Sequence, residues 1–349
     1  MTNGEQAVSW TVIASTGDRF ADFAPYVASV NDDGTVAFQA ALAGGGAGVF
    51  TGREGEVAEV VGRQAVADVT SHPDITAAGE ASFYGAPLER GEAVFLAGRS
   101  GLRRLAETGG GAFASIGPLG PTMNEVGAVA FRAEREAGVS GIFLAEGGEV
   151  ATVAESGGRW NGFEGLPVVT ARTVVFRADR TDGGQGIYAA RAGSIQTVVE
   201  TDDDFAELGR FPSAEERGTV AFSATLRAGG SGVFVADDGR ITRVIDTDGE
   251  FEAFRGALIA GGGSLVLIAT PRGGRLGLFS GPDARRDRLL AVGDSLYGSE
   301  VADFAANPVS VSAAGRVAVR VSLADGRQLI VRADPPLPQS HPFGWLPGG

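Results

Sequence analysis

The chain has no cysteine and no lysine. Without cysteine there is no disulfide framework, no thiol nucleophile and no thiolate metal site. Without lysine there is no Schiff-base amine and no Walker-type phosphate loop, because both need the ammonium group. All 29 cationic side chains are arginine. Histidine occurs only at His72 and His341. A zinc site would then draw mostly on carboxylates, which is uncommon, and a Ser-His-Asp triad in the folded body is left with His72. No apolar run reaches the roughly 18 residues a membrane helix needs, so no membrane span is expected. The first ten residues carry no apolar core. A cytoplasmic protein is therefore expected, or a secreted one whose signal peptide has been removed. A net charge of −14 argues against a nucleic-acid surface, although a local arginine cluster could still serve one carboxylate or phosphate. Sustained helical periodicity is also missing, so little helix is expected.

What the chain does have is a seven-fold repeat of about 45 residues. Each copy carries G-x-V-A-F, then G-[VI]-[FY], then a Val or Leu. The first anchors are Phe38, Phe83, Phe131, Phe176, Phe222, Leu267 and Val319. The second are Phe50, Phe95, Phe143, Tyr188, Phe234, Phe279 and Ile330. The third are Val60, Leu105, Val153, Val198, Val244 and Val292. In the third copy, residues 121–125, 128–133, 141–145 and 149–154 read as four short strands between Gly-rich turns. Four strands per 40–50 residues is the size of a propeller blade. The expected fold is therefore an all-β, seven-bladed β-propeller with four-stranded blades over residues 1–334, followed by a Pro/Gly-rich tail at 335–349. The seventh outer strand is absent where the chain runs into Pro335, because proline cannot donate to a ladder. Its counterpart lies at the start, where Val12-Ile13-Ala14-Ser15-Thr16-Gly17 matches Thr152-Val153-Ala154-Glu155-Ser156-Gly157. The N-terminal strand, about residues 11–15, is expected to close the last blade. The small anchors Leu267 and Val319 predict looser packing in blades six and seven.

Two segments carry a resemblance. Asn31-Asp32-Asp33-Gly34-Thr35-Val36-Ala37-Phe38 and Asn124-Glu125-Val126-Gly127-Ala128-Val129-Ala130-Phe131 resemble the N-x-x-G-x-x-A-F tandem repeat of bacterial propeller-like proteins. The likeness covers nearly the whole chain and implies the same fold. Members are mostly uncharacterised and often secreted or surface-anchored, so it implies no chemistry. The Asn is replaced elsewhere, as at Thr76, Ala214 and Ser312.

Residues that recur in every blade hold blades together, so function is sought in those that do not. An acid followed by Ser or Thr recurs after the outer strand, at Glu107-Thr108, Glu155-Ser156, Glu200-Thr201, Asp246-Thr247 and Asp294-Ser295. These are expected to accept backbone N–H groups. Acidic turns at 202–204 and 246–250 offer calcium as a lesser alternative to having no cofactor. The arginines of the second loop series, Arg90, Arg135, Arg180, Arg227 and Arg272, read as surface ion pairs with nearby acids, or as a ring gripping carboxylates.

The position before the innermost strand is His72 in blade two, Phe211 in blade five and Asn307 in blade seven. Tyr26, Tyr84, Trp160, Asn161 and Arg255 lie nearby in sequence or on adjacent blades. A small organic ligand at the channel mouth is expected on these groups. His72 is the candidate general acid or base and Tyr26 or Tyr84 the candidate donor. Phe211, Arg255, Asn307, Trp160 and Asn161 are candidate binding residues. A short loop at 64–71 is expected to leave the mouth open beside His72. The matching chemistry is cofactor-independent elimination, isomerisation, cyclisation or hydrolysis in a monomer. The alternatives are a protein-interaction scaffold and a secreted or surface structural module.

Overall fold

Seven cross-strand pairs, one per blade, set the register of the ring. Phe38 lies opposite Phe50, Phe83 opposite Phe95, Phe131 opposite Phe143 and Phe176 opposite Tyr188. Phe222 lies opposite Phe234, Leu267 opposite Phe279 and Val319 opposite Val331. All but Phe234 are at most 1% exposed. The computed structural model describes residues 8–202, 204–334, 336 and 337. His341 and Asp203 lie outside the described residues, as does nearly all of the tail.

The described residues form seven antiparallel sheets, each ordered from an inner strand through two middle strands to an outer one. The chain is a seven-bladed β-propeller. In blade three, Val129–Glu134, Ser140–Glu146 and Glu149–Glu155 follow the inner pieces Ser115–Ile116 and Thr122–Met123. The glycine of G-[VI]-[FY] is explained by the ring two residues on. A Cβ at Gly141 would lie 2.7 Å from two Phe143 ring atoms, and at Gly186 within 2.7 Å of the Tyr188 ring. The aromatic side chain folds back over its own strand, and only a missing side chain leaves it room.

The seventh blade takes its outer strand, Ser9–Ser15, from the N-terminal region. That strand pairs antiparallel with Gln328–Asp334 from Ser9 opposite Asp334 to Ser15 opposite Leu329. Every outer strand carries a β-bulge at its repeated hydrophobe, for example between the pairs Ile142–Ala154 and Phe143–Thr152, which leaves Val153 in the bulge. In blade seven the bulge falls at Ile13. In blade six it falls at Leu289, not Val292, which lies beyond the strand Arg288–Ala291. The second anchor of blade seven is likewise Val331 rather than Ile330, which pairs with Arg320. A one-residue slip would have turned that strand's core face outward.

The hydroxyl of the acid–Ser/Thr motif repeats one bond. Thr108, Ser156, Thr201 and Thr247 each accept, through Oγ, the N–H that opens their blade's third strand, at 2.8–3.1 Å. Thr16 does the same for Gln328 N at 2.8 Å. The strand that closes the ring is therefore equivalent to the others down to its cap. The smaller anchors of blades six and seven do not leave a loose sector. The largest aliphatic cluster, with Leu258, Leu278, Leu290, Val301, Val319 and Val331, fills that junction.

Candidate functional site

The inner strands decide what lines the axis. In four blades they come in two pieces, because the chain pairs with the second strand, breaks away, and pairs again, and in blade seven the second contact is the single bridge Val311–Val317. Examples are Phe20–Asp22 with Ser29–Val30, and Asp68–Val69 with Asp74–Ile75. The positions of His72 and Phe211 fall in these breaks, not before the strand. The segment at 64–71 is not the short one of its series either. Six residues separate the outer strand ending at Val61 from Asp68, against four between Glu155 and Trp160. The open side expected beside His72 is therefore not produced by this loop.

The eight candidate residues are spread around the ring. No hydrogen bond, ion pair or ring contact links any two of them among the described residues. His72 is 3% exposed, and its ring fills the space a side chain at Gly120 would take in blade three. Burial lowers its pKa to about 4, opposed by the Pro121 backbone, and Nε2 has no partner. The imidazole is neutral near pH 7 and shielded. Tyr84 is buried in the core between blades two and three, where its Oη accepts Arg132 N at 3.2 Å and burial raises its pKa. Tyr26 is half-buried, its pKa raised by burial and then by Asp68, and its carbonyl accepts Arg320 Nε at 2.9 Å. Trp160 packs edge-on against Phe176 and Tyr188 in the blade core. Asn161 is exposed and donates to Arg180 O at 3.2 Å. Phe211 lies beside Arg210, which pairs with Glu164 across blades four and five at 2.7 Å. Arg255 is exposed on blade six. Asn307 is buried and caps the one-turn helix Pro308–Ser310 through Val309 N at 3.0 Å.

The loop arginines are held within their own blades. Arg135 pairs with Glu155, Arg180 with Glu200 at 2.9 Å, and Arg272 Nε donates to Gly249 O at 2.9 Å. Arg135 and Arg180 thus pair with acids of the acid–Ser/Thr motif, Arg180 also with Asp182, and not with Glu134 and Asp179. Asp246 and Asp202 of the two calcium-like turns are also engaged. Asp246 accepts Asp248 N and pairs with Arg243, and Asp202 accepts Asp204 N. Among the described residues no group of three or more His, Asp or Glu is arranged to hold a metal ion.

The axis itself holds a well of about 220 Å³, on the face of the turns between inner and second strands. Residues of all seven blades line it. Its wall is aliphatic, with Val30, Ile75, Met123, Val169, Ile259 and Val311. Five carboxylates line it, Asp32, Asp74, Glu125, Glu215 and Glu216, and no arginine does. Each has a structural cause. Asn31, Asn124 and Glu215 cap their turns by accepting an N–H four residues on, at Thr35, Ala128 and Thr219. Glu215, not Ala214, is thus the blade-five counterpart of Asn31. The acid that follows each cap residue accepts a backbone N–H from the preceding blade: Glu125 from Ala77, Glu216 from Ala171 and Asp32 from Ala314, at 2.7–2.8 Å. Asp74 bridges inner strands, accepting Met123 N at 2.7 Å and Ile75 N at 2.9 Å. Burial pushes its carboxyl up to about 7, against those two donors, and Glu125 adds to the rise. Acids are common in the turns all round the ring, so the sequence offered no reason to single out these residues beyond one signal. An acid follows the cap residue in blades one, three and five, where blades two, four and seven have alanine at Ala77, Ala171 and Ala313.

No protein-family model matches the chain, and no curated protein sequence does. Solved structures resemble it in fold. An oligogalacturonate lyase in complex with manganese superposes with a TM-score of 0.58 at 9% identity, over 95% of this chain and 98% of that one. A puromycin hydrolase mutant gives 0.55 at 16% identity, over 89% and 51%. Prolyl oligopeptidase B from Galerina marginata gives 0.53 at 13%, over 87% and 47%. The chain thus spans about half the length of the last two. At these identities the likeness shows the propeller fold alone, one shared by lyases and peptidases.

Proposed function

We propose that the protein binds a small organic cation in the axial well. One observation carries this reading: five carboxylates and no guanidinium line an aliphatic-walled cavity, in a chain with 29 arginines. Low-dielectric walls focus the field of such a ring along the axis. The backbone hydrogen bonds from neighbouring blades hold Asp32, Glu125 and Glu216 in place without bringing in a counter-charge, so the site is organised before a ligand arrives. About 220 Å³ is below the usual range for drug-sized ligands, roughly 300–1,000 Å³. It suits an alkylammonium, a quaternary ammonium or a short diamine. Binding rather than catalysis is proposed, since the buried neutral His72 does not line the well.

Calorimetric titration with tetramethylammonium and 1,4-diaminobutane tests it, with neutral alcohols of similar size as controls. Saturable binding of the cations that weakens with added salt is expected. The double variant Glu125→Gln, Glu216→Gln keeps both acceptor oxygens and removes two charges. Its affinity should fall by about tenfold. Equal binding of the alcohols, or undiminished affinity in the variant, would overturn the reading.

A further inference from the structure

A second site lies on blade six, at the one blade that breaks the repeat. Blades one to five join their third and outer strands through two residues, as at 147–148 and 238–239. Blade six uses the eight residues 280–287, and its third strand, Gly277–Phe279, is only three residues long. Insertions in single copies of a repeat map to loops on one face, often the binding face. Beside it opens a cleft of about 980 Å³, with Phe279, Ala291 and Val292 among its lining residues.

Four arginines line the cleft, and two are already engaged. Arg272 holds the loop carbonyls of Gly249 and Thr247, and Arg288 pairs with Asp294 at 3.4 Å. Arg275 and Arg285 make no ion pair or side-chain hydrogen bond among the described residues. The Arg275 guanidinium lies over Gly293, with Nη1 3.1 Å from where a Cβ would stand. Most lining carboxylates are satisfied. Glu250 accepts Ala284 N at 2.7 Å, Asp283 accepts Arg285 N and Arg286 N at 3.0 and 2.8 Å, and Asp294 accepts Ala291 N at 2.8 Å. Exposed Glu300 is the one lining carboxylate without such a partner. Two uncommitted guanidinium forks thus face one uncommitted carboxylate across a partly apolar cleft.

We propose that this cleft binds a small organic oxyanion, a phosphate ester or carboxylate with an apolar body, gripped by Arg275 and Arg285. Guanidinium forks match the paired oxygens of either group. The site is separate from the axial well, takes the opposite charge, and stands or falls on its own variants.

Titration with phenyl phosphate, benzoate and neutral phenol decides it. Saturable binding of at least one anion and none of phenol is expected, and comparing the two anions separates phosphate from carboxylate. The double variant Arg275→Gln, Arg285→Gln should lose about tenfold or more in affinity, the scale of a charged hydrogen bond. Its melting temperature should move little, because neither side chain makes an internal ion pair or hydrogen bond among the described residues. Arg90→Gln, on blade two, serves as the control and should bind normally. No saturable binding at millimolar concentration, equal binding of phenol, or full affinity in the double variant would overturn the proposal.

Discussion

Gly120 and His72 share one volume at the junction of blades two and three. A Cβ at position 120 would lie 2.5–2.7 Å from three ring atoms of His72. Gly120→Ala should therefore cost about 1–3 kcal/mol, the usual penalty of overpacking. Adding His72→Ala should recover part of that loss in denaturant unfolding. Simple additivity of the two changes would show that they do not touch. His72, in the break of the inner strand, and Asp74, two residues on, titrate in opposite senses. The folded Asp74 carboxyl holds its proton from 3.8 up to about 7, so its contribution is lost as pH rises through that window. The folded His72 resists protonation from 6.5 down to about 4, so its contribution is lost as pH falls. The two slopes offset each other in the native chain. Asp74→Thr removes one, and Thr122 already performs the same strand-bridging role in blade three, accepting Val169 N at 3.0 Å. The variant's stability should then rise more steeply than the parent's between about pH 4 and 6.5, as read from urea midpoints. Parallel pH profiles would show that Asp74 titrates normally.

At the scale of single strands, most of the fold was legible because each blade repeats the same physical solution. Spacing alone singled out Phe131 and Phe143 as anchors and matched Ile13 with Val153; the structure sets the two rings opposite one another and both aliphatic residues in bulges. Spacing failed where it was relaxed. Val331 lies twelve residues after Val319, as in the other copies, and Leu289 ten after Phe279, while Ile330 and Val292 break those intervals. The outer halves of the inner strands were not legible, since two-residue pieces such as Asp68–Val69 carry no periodicity. The axial well was missed because its charge comes from turn residues that look like ordinary solvated acids until the ring brings them together. Element-level predictions follow from the same repetition. Phe131→Ala should destabilise by roughly 3–5 kcal/mol. Thr16→Ala and Thr201→Ala should each cost about 0.5–1.5 kcal/mol, the net worth of one hydrogen bond. Similar losses at the two sites, measured by thermal unfolding, would fit a shared cap. A loss at Thr201 alone would mean that the closing strand is held differently.

The whole ring depends on one seam. Removing residues 1–17 should expose Gln328–Asp334 as an unpaired edge, with aggregation or loss of soluble protein as the outcome. A truncated chain that stays soluble with an unchanged melting temperature would show that the seam is dispensable. Hydrogen exchange should find blades six and seven as protected as the rest, because their aliphatic junction replaces aromatic pairs with more side chains. Fast exchange confined to that sector would contradict this.

The seam also sets an order of events during synthesis. Ser9 pairs with Asp334, and the hydrogen bond between Ser9 Oγ and Asp334 O spans 325 positions. At roughly 5–20 residues per second the ribosome needs about 15–60 s to deliver the second partner after the first. Through that interval the opening strand has no mate, while blade after blade forms from contacts close in sequence. Closure is the one long-range step in a molecule otherwise assembled locally, and long-range pairing is the slow kind. The first strand made is therefore the last to be placed, and the growing chain carries an open sheet edge until its final blade emerges.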